Sequence, residues 1–200
     1  AFTTYSSGGI INRIYQITTE YTTAQLFDLK FAQSADVMYI CHPDHEPTKL
    51  SRTGHTSWSL DEVDFGTNGP YLDANTTATT ITPQQAAAAT GKTLTLSATT
   101  GVNNDQGWLT TDVGRIVKFN GGTAKITART NSTVAVATIV DAFTNTDATV
   151  AFQLGSFSDT NGFPSSVSFF EQRLVFSASN DQPLTLFFSK SGAYENMSAG

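Results

Sequence analysis

The sequence predicts an all-β protein. Three observations support this class: the composition is rich in Thr, Val and Phe and poor in Lys and Glu, apolar residues alternate in short runs, and Gly, Asn and Pro separate those runs. The chain has 200 residues, of which 39% are hydrophobic and 14% are charged. A chain of this length and apolar content can bury a core as one large domain or as two smaller ones.

The charge and the cysteine content exclude several classes. The formal net charge of −6 argues against a protein that binds nucleic acid by neutralising phosphates. No apolar run approaches the roughly 20 residues of a membrane-spanning helix. The single Cys41 excludes an internal disulfide and fits a reducing compartment. We expect the chain to be part of a longer protein.

The first third of the chain predicts short elements. Residues 1–20 predict a strand, a turn at Gly8-Gly9 and a second strand over residues 10–17. Residues 23–33 predict a short helix, because Thr23 is a suitable N-cap and apolar residues follow at helical spacing. The next segments predict a meander, with strands at residues 37–42, 48–52 and 56–60 and a proline-bounded turn at residues 43–47.

The composition changes after residue 72 and again after residue 156. The middle block is rich in Thr, Ala, Asn and Gly and carries five basic and five acidic residues, whereas both flanks are acidic. We therefore predict three regions: a β-scaffold over residues 1–72, an inserted β-domain over residues 73–156, and a return to the scaffold over residues 157–200.

The inserted block predicts a small barrel or sandwich, because its strands are short and closely spaced. These predicted strands cover residues 92–98, 115–119, 123–128 and 132–137. Residues 82–89 predict either a helical turn that begins at Pro83 or a flexible linker. The last region predicts three antiparallel strands over residues 166–170, 173–177 and 184–189. Three such strands are most of a propeller blade or one sheet of a sandwich.

Two sets of motifs stand in the flanks of the chain. In the first flank they are 21–43 (YTTAQLFDLKFAQSADVMYICHP), 47–52 (PTKLSR), 58–60 (WSL) and 69–71 (GPY). In the last flank they are 162–176 (GFPSSVSFFEQRLVF), Pro183 and 189–194 (SKSGAY). In this order, these motifs resemble the tail tubular protein B or nozzle family of short-tailed double-stranded DNA phages. The resemblance does not include the middle block.

The resemblance implies a propeller-like, antiparallel β-scaffold that carries inserted domains. It implies a non-enzymatic structural protein of the virion, which assembles in the host cytoplasm as a ring of sister subunits, expected to be a hexamer. The implied neighbours are the portal-adaptor protein and the tail fibres. Genome DNA passes through such a ring during ejection. An acidic wall suits this passage, because like charge repels the duplex and prevents tight binding. The alternative is that the negative charge only keeps the subunit soluble.

Six residues are candidates for structural or interface roles: Gln33, Asp36, Arg52, Trp58, Tyr71 and Arg173. Asp36 follows two small residues and can accept backbone N–H groups at a turn. Trp58 is expected to anchor a core or an interface. Arg173 lies two residues after Glu171 on a predicted strand, where it either forms an ion pair or donates to neighbouring backbone carbonyls.

No residue is predicted to be catalytic, and no cofactor or metal is predicted. The most metal-like cluster is His42, Asp44, His45 and Glu46, with His55 nearby. Adjacent residues on a tight turn rarely converge on one metal, so we expect a solvated hairpin turn. Three carboxylates at residues 61, 62 and 64 are likewise expected to form a solvated face. Burial is expected for Cys41 rather than nucleophilic chemistry.

Two other functions stay open from the sequence. A carbohydrate-binding adhesin module predicts saturable sugar binding with a fluorescence change at Trp58 or Trp108. A hydrolase of cell-wall or capsule sugars predicts a loss of activity when Asp61 or Asp64 is changed to Asn. A tail-ring protein predicts neither result.

Overall fold

The structure is a computed structural model and describes residues 15–198. Within these residues 44% of the protein is in strands and 3% in helix, and the strands pair antiparallel in three sheets, which confirms the predicted all-β class. The first sheet contains β1 (Lys30–Ser34), β2 (Val37–His42), β3 (His45–Gly54) and β4 (Ser57–Glu62). It is the predicted meander, in the order β1-β2-β3-β4.

The predicted helix at residues 23–33 is wrong. Residues 23–28 form consecutive turns, in which the Gln25 N–H donates to the Thr22 carbonyl at 3.1 Å. Residues 30–34 form β1 instead, because antiparallel pairing with β2 satisfies their backbone groups and places Ala32 opposite the buried Tyr39. Ala35 adopts a φ of 50°, which permits the tight turn between these strands.

Two other predictions for this region have different outcomes. The hairpin predicted within residues 1–20 lies mostly outside the described residues, and residues 15–20 form no strand. The turn predicted over residues 43–47 is shorter, because His45 already pairs with His42 as the first residue of β3. Pro43 and Asp44 alone are enough to reverse the chain at this point.

The middle sheet has six strands in the order β10-β7-β8-β9-β6-β5 and is curled into a half-barrel. Its strands are β5 (Ile81–Pro83), β6 (Ala89–Leu96), β7 (Ile116–Phe119), β8 (Gly122–Arg129), β9 (Val134–Asp141) and β10 (Phe152–Leu154). Ile81 exchanges two backbone hydrogen bonds with Thr149, three residues before β10. These bonds link the two outer strands of the sheet and favour the barrel over the sandwich alternative.

The core of the middle sheet is built from buried apolar side chains. The largest of its fully buried side chains are Trp108, Ile81, Leu94, Ile126 and Ile139. The helical turn predicted over residues 82–89 is wrong, because Pro83 lies on the outer strand β5 opposite Leu94. Residues 84–88 form a loop between β5 and β6, and the flexible-linker alternative stays a prediction. Proline is tolerated in an outer strand, since it lacks the N–H that a central strand would need.

The third sheet contains β11 (Ser166–Phe170), β12 (Arg173–Ser177) and β13 (Leu186–Phe188), in that order. Its inner face packs on the first sheet, and the two sheets share one hydrophobic cluster that includes Tyr39, Cys41, Leu174 and Phe176. The core of the middle sheet forms a separate cluster. The predicted boundaries after residues 72 and 156 stay a prediction.

A buried ion pair organises the loops at one end of the middle sheet. The Arg115 guanidinium donates to Asp112 Oδ1 at 2.9 Å and to the Gly155 carbonyl at 2.9 Å. Asp112 also accepts hydrogen bonds from Asn103 and from Thr160. Arg115 and Asp112 are almost completely buried, so each depends on the other for charge compensation. The network fixes the chain where it leaves the middle sheet for the third sheet.

Candidate assembly surface

Four of the six candidate residues meet at one end of the first sheet. The Arg52 guanidinium donates to Asp36 Oδ1 at 3.0 Å and lies 5.8 Å from the centroid of the Trp58 ring. The Trp58 indole N–H donates to the His55 carbonyl at 3.2 Å. Gln33 donates to the carbonyl of Ala35, within the adjoining turn. We call Gln33, Asp36, Arg52 and Trp58 the turn cluster.

The register of the meander creates the turn cluster. Arg52 of β3 lies directly opposite Trp58 of β4, so the two side chains share a face. The Arg52 N–H donates to the Asp36 carbonyl at 2.9 Å, which brings the β1–β2 turn beside β3. The Asp36 side chain is 65% exposed, and an exposed ion pair of this kind contributes about 0–1 kcal/mol. The cluster therefore orients the surface more than it stabilises the fold.

A groove of about 430 Å³ adjoins the turn cluster. Six residues line it: Tyr15, Ile17, Leu50, Arg52, His55 and Trp58. The groove combines two aromatic rings with one permanent cation and an apolar floor. Such a surface can hold a flat, hydroxylated or aromatic group by stacking and by hydrogen bonds from the guanidinium.

The remaining two candidates lie elsewhere and have backbone partners. Tyr71 donates to the Thr67 carbonyl at 3.1 Å, and its ring lies 5.3 Å from Lys118 Nζ. Burial, assisted by the negative charge of Asp141, raises the pKa of Tyr71 to about 12. Arg173 donates to the Ser189 carbonyl at 2.8 Å. The structure therefore does not bring these two residues into the turn cluster.

Two interactions were predicted for Arg173, an ion pair or hydrogen bonds to backbone carbonyls, and the backbone conformation of Glu171 distinguishes them. Glu171 adopts a φ of 46° in the β11–β12 turn, so it does not lie on the same strand as Arg173. The premise of a shared strand face is wrong. The bond to the Ser189 carbonyl is the interaction that the other alternative describes.

Exposed apolar side chains form two further surfaces that sequence patterns did not identify. Leu184, Leu186 and Phe188 project from β13 and the loop before it, and Leu184 is 96% exposed. Phe188 lies opposite Val175, and Phe170 is also exposed on this sheet. We call these side chains, with Val175, the β13 patch. In the sequence, Leu184, Leu186 and Phe188 occupy every second position, which predicts that they share one face of a strand. Such a pattern does not reveal whether that face is buried or exposed to water.

The second apolar surface precedes and includes β1, and we call it the β1 patch. It consists of Leu26, Phe27 and Phe31, and Phe27 is 91% exposed. Among the described strands, none pairs with the outer edge of β1 or with that of β13. Exposed apolar side chains beside unpaired strand edges are typical of surfaces that bind another protein.

The side chains of the His-rich turn have separate partners in the structure. His42 Nδ1 accepts the Asp44 N–H at 3.1 Å, and His45 Nδ1 lies 3.6 Å from Glu20. Glu46 points away from both rings, toward Lys125. Between residues 15 and 198, no three His, Cys, Asp or Glu side chains are placed to hold a metal ion. Cys41 is completely buried, and burial raises the pKa of its thiol.

The carboxylates at residues 61, 62 and 64 have separate partners. Asp61 lies opposite Lys49 in the β3–β4 register. Glu62 lies 3.4 Å from Lys125, and Asp64 accepts the Gly66 N–H at 2.8 Å. Trp108 is completely buried and cannot stack on a sugar. No helix of the described part of the chain is long and apolar enough to cross a membrane.

The chain was compared with protein-family models and with curated proteins. A scan against protein-family models finds no match for the chain, and a search of curated proteins finds none.

Proposed function

We propose that the protein is a non-enzymatic structural subunit of a phage tail, which forms part of the oligomeric tube or nozzle that conducts genome DNA. The proposal combines the family resemblance of the two flanks with one structural observation. That observation is the pair of apolar surfaces, the β1 patch and the β13 patch, beside unpaired strand edges. A subunit with two different apolar surfaces is suited to head-to-tail contact with its copies. Such contacts form a ring when the rotation from each subunit to the next adds up to a full turn.

The energetics of burial favour assembly through these surfaces. Removing one Leu or Phe side chain from water stabilises a contact by about 1.5–3 kcal/mol. Several such side chains offset the entropy lost on association, which a surface ion pair does not. The acidic net charge of −6 keeps a DNA channel from binding phosphates tightly, so the same subunit can let the duplex pass.

The β13 patch gives the direct test of assembly. We expect the change Leu186→Asp to weaken self-association about 100-fold, because a carboxylate would have to be desolvated in an apolar contact. Sedimentation-velocity analysis over a range of protein concentrations measures the change. Thr146→Asp is the matched control, since Thr146 is exposed on a loop of the middle sheet and receives the same charge.

The outcome of this comparison decides the proposal. Self-association by the wild type and by Thr146→Asp, with loss in Leu186→Asp, supports it. A wild-type chain that stays monomeric at high concentration, or equal association by all three proteins, contradicts the assigned surface.

The groove beside the turn cluster favours a second function, a carbohydrate-binding module. Tyr15 and Trp58 are the ring systems available for stacking, and Arg52 supplies hydrogen-bond donors. The adhesin alternative predicts a saturable change in tryptophan fluorescence with cell-surface oligosaccharides, lost in Trp58→Ala. Because Trp108 is buried, a change in emission reports on Trp58. The tail proposal predicts no saturable change.

A further inference from the structure

A cleft of about 410 Å³ lies between the first sheet and the middle sheet. Most of its wall is apolar, and the larger apolar side chains that line it are Val63, Phe65, Ile116, Val140 and Phe157. Sites for small molecules have volumes in this range and combine an apolar wall with a few polar groups. The cleft therefore has the room and the apolar surface to take up a small ligand.

The apolar wall of the cleft is held in place by close contacts. The Ile116 side chain packs directly on the backbone of Gly69 and of Gly155, so that an added Cβ at either glycine would collide with it. Ile116 is thereby fixed as part of the wall. Val140 of β9 also lines the cleft and is 46% exposed, although its side chain is apolar. A ligand would cover an apolar surface that is already formed, which lowers the entropy lost on binding.

Four charged side chains line the same cleft. Glu46, Glu62 and Asp64 come from β3, β4 and the segment after β4, and Lys125 comes from β8. Lys125 Nζ lies 3.4 Å from Glu62 Oε2 and 3.9 Å from Glu46 Oε2. Asp64 accepts the Gly66 N–H through Oδ1. Because one ammonium faces three carboxylates, negative charge is in excess in the lining.

Glu46 is the carboxylate that gains most from an additional cation. Its Oε2 atom is the more distant of the two from Lys125, and its Oε1 atom lies against Gly114, where an added Cβ would be 3.0 Å away. Burial, opposed by Lys125 and assisted by Glu62 and Asp159, raises the pKa of Glu46 to about 7. A positive charge brought into the cleft would favour the ionised form of this side chain.

We propose that the cleft binds a small organic cation, in which an ammonium or guanidinium group is attached to an apolar body. The apolar body covers Ile116, Val140 and Phe157, and this burial supplies most of the affinity. The cationic group pairs with Glu46 and Glu62, whose charges Lys125 compensates only in part. An anion of the same shape is repelled by the excess of carboxylates, and a neutral molecule leaves them uncompensated.

Titration with phenylpropylamine tests the site, with phenylpropanol and phenylpropionate as matched neutral and anionic probes. At pH 8 we expect the amine to cause saturable shifts in the amide NMR signals of residues 63–66 and 114–116. We expect the alcohol to bind about tenfold more weakly and the anion not to reach saturation. Equal affinity for the three probes, or shifts confined to another surface, would overturn the proposal.

Two substitutions with opposite expected effects separate charge recognition from damage to the fold. Glu62→Gln removes a carboxylate and is expected to weaken binding of phenylpropylamine about threefold, whereas Lys125→Gln removes the competing ammonium and is expected to strengthen it about threefold. Asp61→Asn is the matched control with unchanged affinity, since Asp61 is adjacent to Glu62 but points to the other face of β4, opposite Lys49 in the register.

The variants decide between recognition by charge and an indirect effect. Weaker binding in both Glu62→Gln and Lys125→Gln, or an equal loss in Asp61→Asn, would contradict the proposed site. Opposite changes in the first two variants, with wild-type affinity in the third, support it. These titrations do not depend on self-association, so the site and the proposed tail function fail or hold separately.

Discussion

Replacing Asp112 with alanine is expected to lower the free energy of unfolding by about 3–5 kcal/mol, because it leaves the Arg115 guanidinium buried without its counter-ion. The change also removes the acceptor for the Leu109 N–H and for the Thr160 hydroxyl. These losses fall where the chain leaves the middle sheet. Urea unfolding monitored by circular dichroism measures the effect.

Asp36→Ala is the matched control for this prediction. It removes the same carboxylate from an ion pair of nearly equal length, 3.0 Å to Arg52. Since the Asp36 pair is exposed to water, the expected loss is only about 0–1 kcal/mol. If the two variants lost similar amounts of unfolding free energy, burial would not be what sets the contribution of the Asp112–Arg115 pair to stability.

Replacing Trp108 with alanine has the other large expected effect, a loss of about 3–5 kcal/mol. Trp108 is completely buried in the core of the middle sheet, and alanine would leave a cavity in its place. The backbone of the neighbouring Gly107 lies so close to the Ser132 carbonyl that an added Cβ would collide with it. This close contact restricts movement of the surrounding backbone into the cavity. The core therefore cannot collapse easily into the space.

Trp58→Ala is the control for Trp108→Ala, since it removes the same side chain from a half-buried position that borders a surface groove. Its expected loss is below about 1 kcal/mol, the usual range for a surface change. The pair of variants is measured by thermal unfolding under identical conditions. If Trp58→Ala lowered the free energy of unfolding as much as Trp108→Ala does, Trp58 would be a residue that stabilises the whole fold. Its role would then not be limited to the turn cluster.

The strands were the predictable part of the fold. Residues 166–170 and 173–177 are short runs rich in apolar and β-branched side chains on either side of a turn, and β11 and β12 have these bounds. The middle strands were likewise separated by turns with suitable residues, such as Asn120-Gly121. Period-two patterns between turn residues therefore determined most of the three sheets.

The two failed helix predictions have a common cause. At residues 23–33 and 82–89, local signals suggested helical turns, but neighbouring strands offered better backbone partners. Ala32 pairs opposite Tyr39, and Pro83 pairs opposite Leu94. Local propensity is a weak preference, and tertiary pairing overrides it.

The site was only partly predictable, because its interactions join residues far apart in sequence. Asp36, Arg52 and Trp58 were identified from local motifs, and the meander brings them together. The ion pair of Glu46 with Lys125 joins two different sheets, and no local pattern links these residues. The exposure of Phe27 and Leu184 likewise depends on how the sheets pack.

The proposal that the chain is a phage tail subunit is tested most directly by electron microscopy of virus particles purified from cells that express its gene, with mass spectrometry of the same preparation. We expect the chain to be present in the particles, as a ring of copies on the tail below the portal and adaptor. Particles that lack the chain, or that carry it as single copies away from the DNA channel, would contradict the proposal.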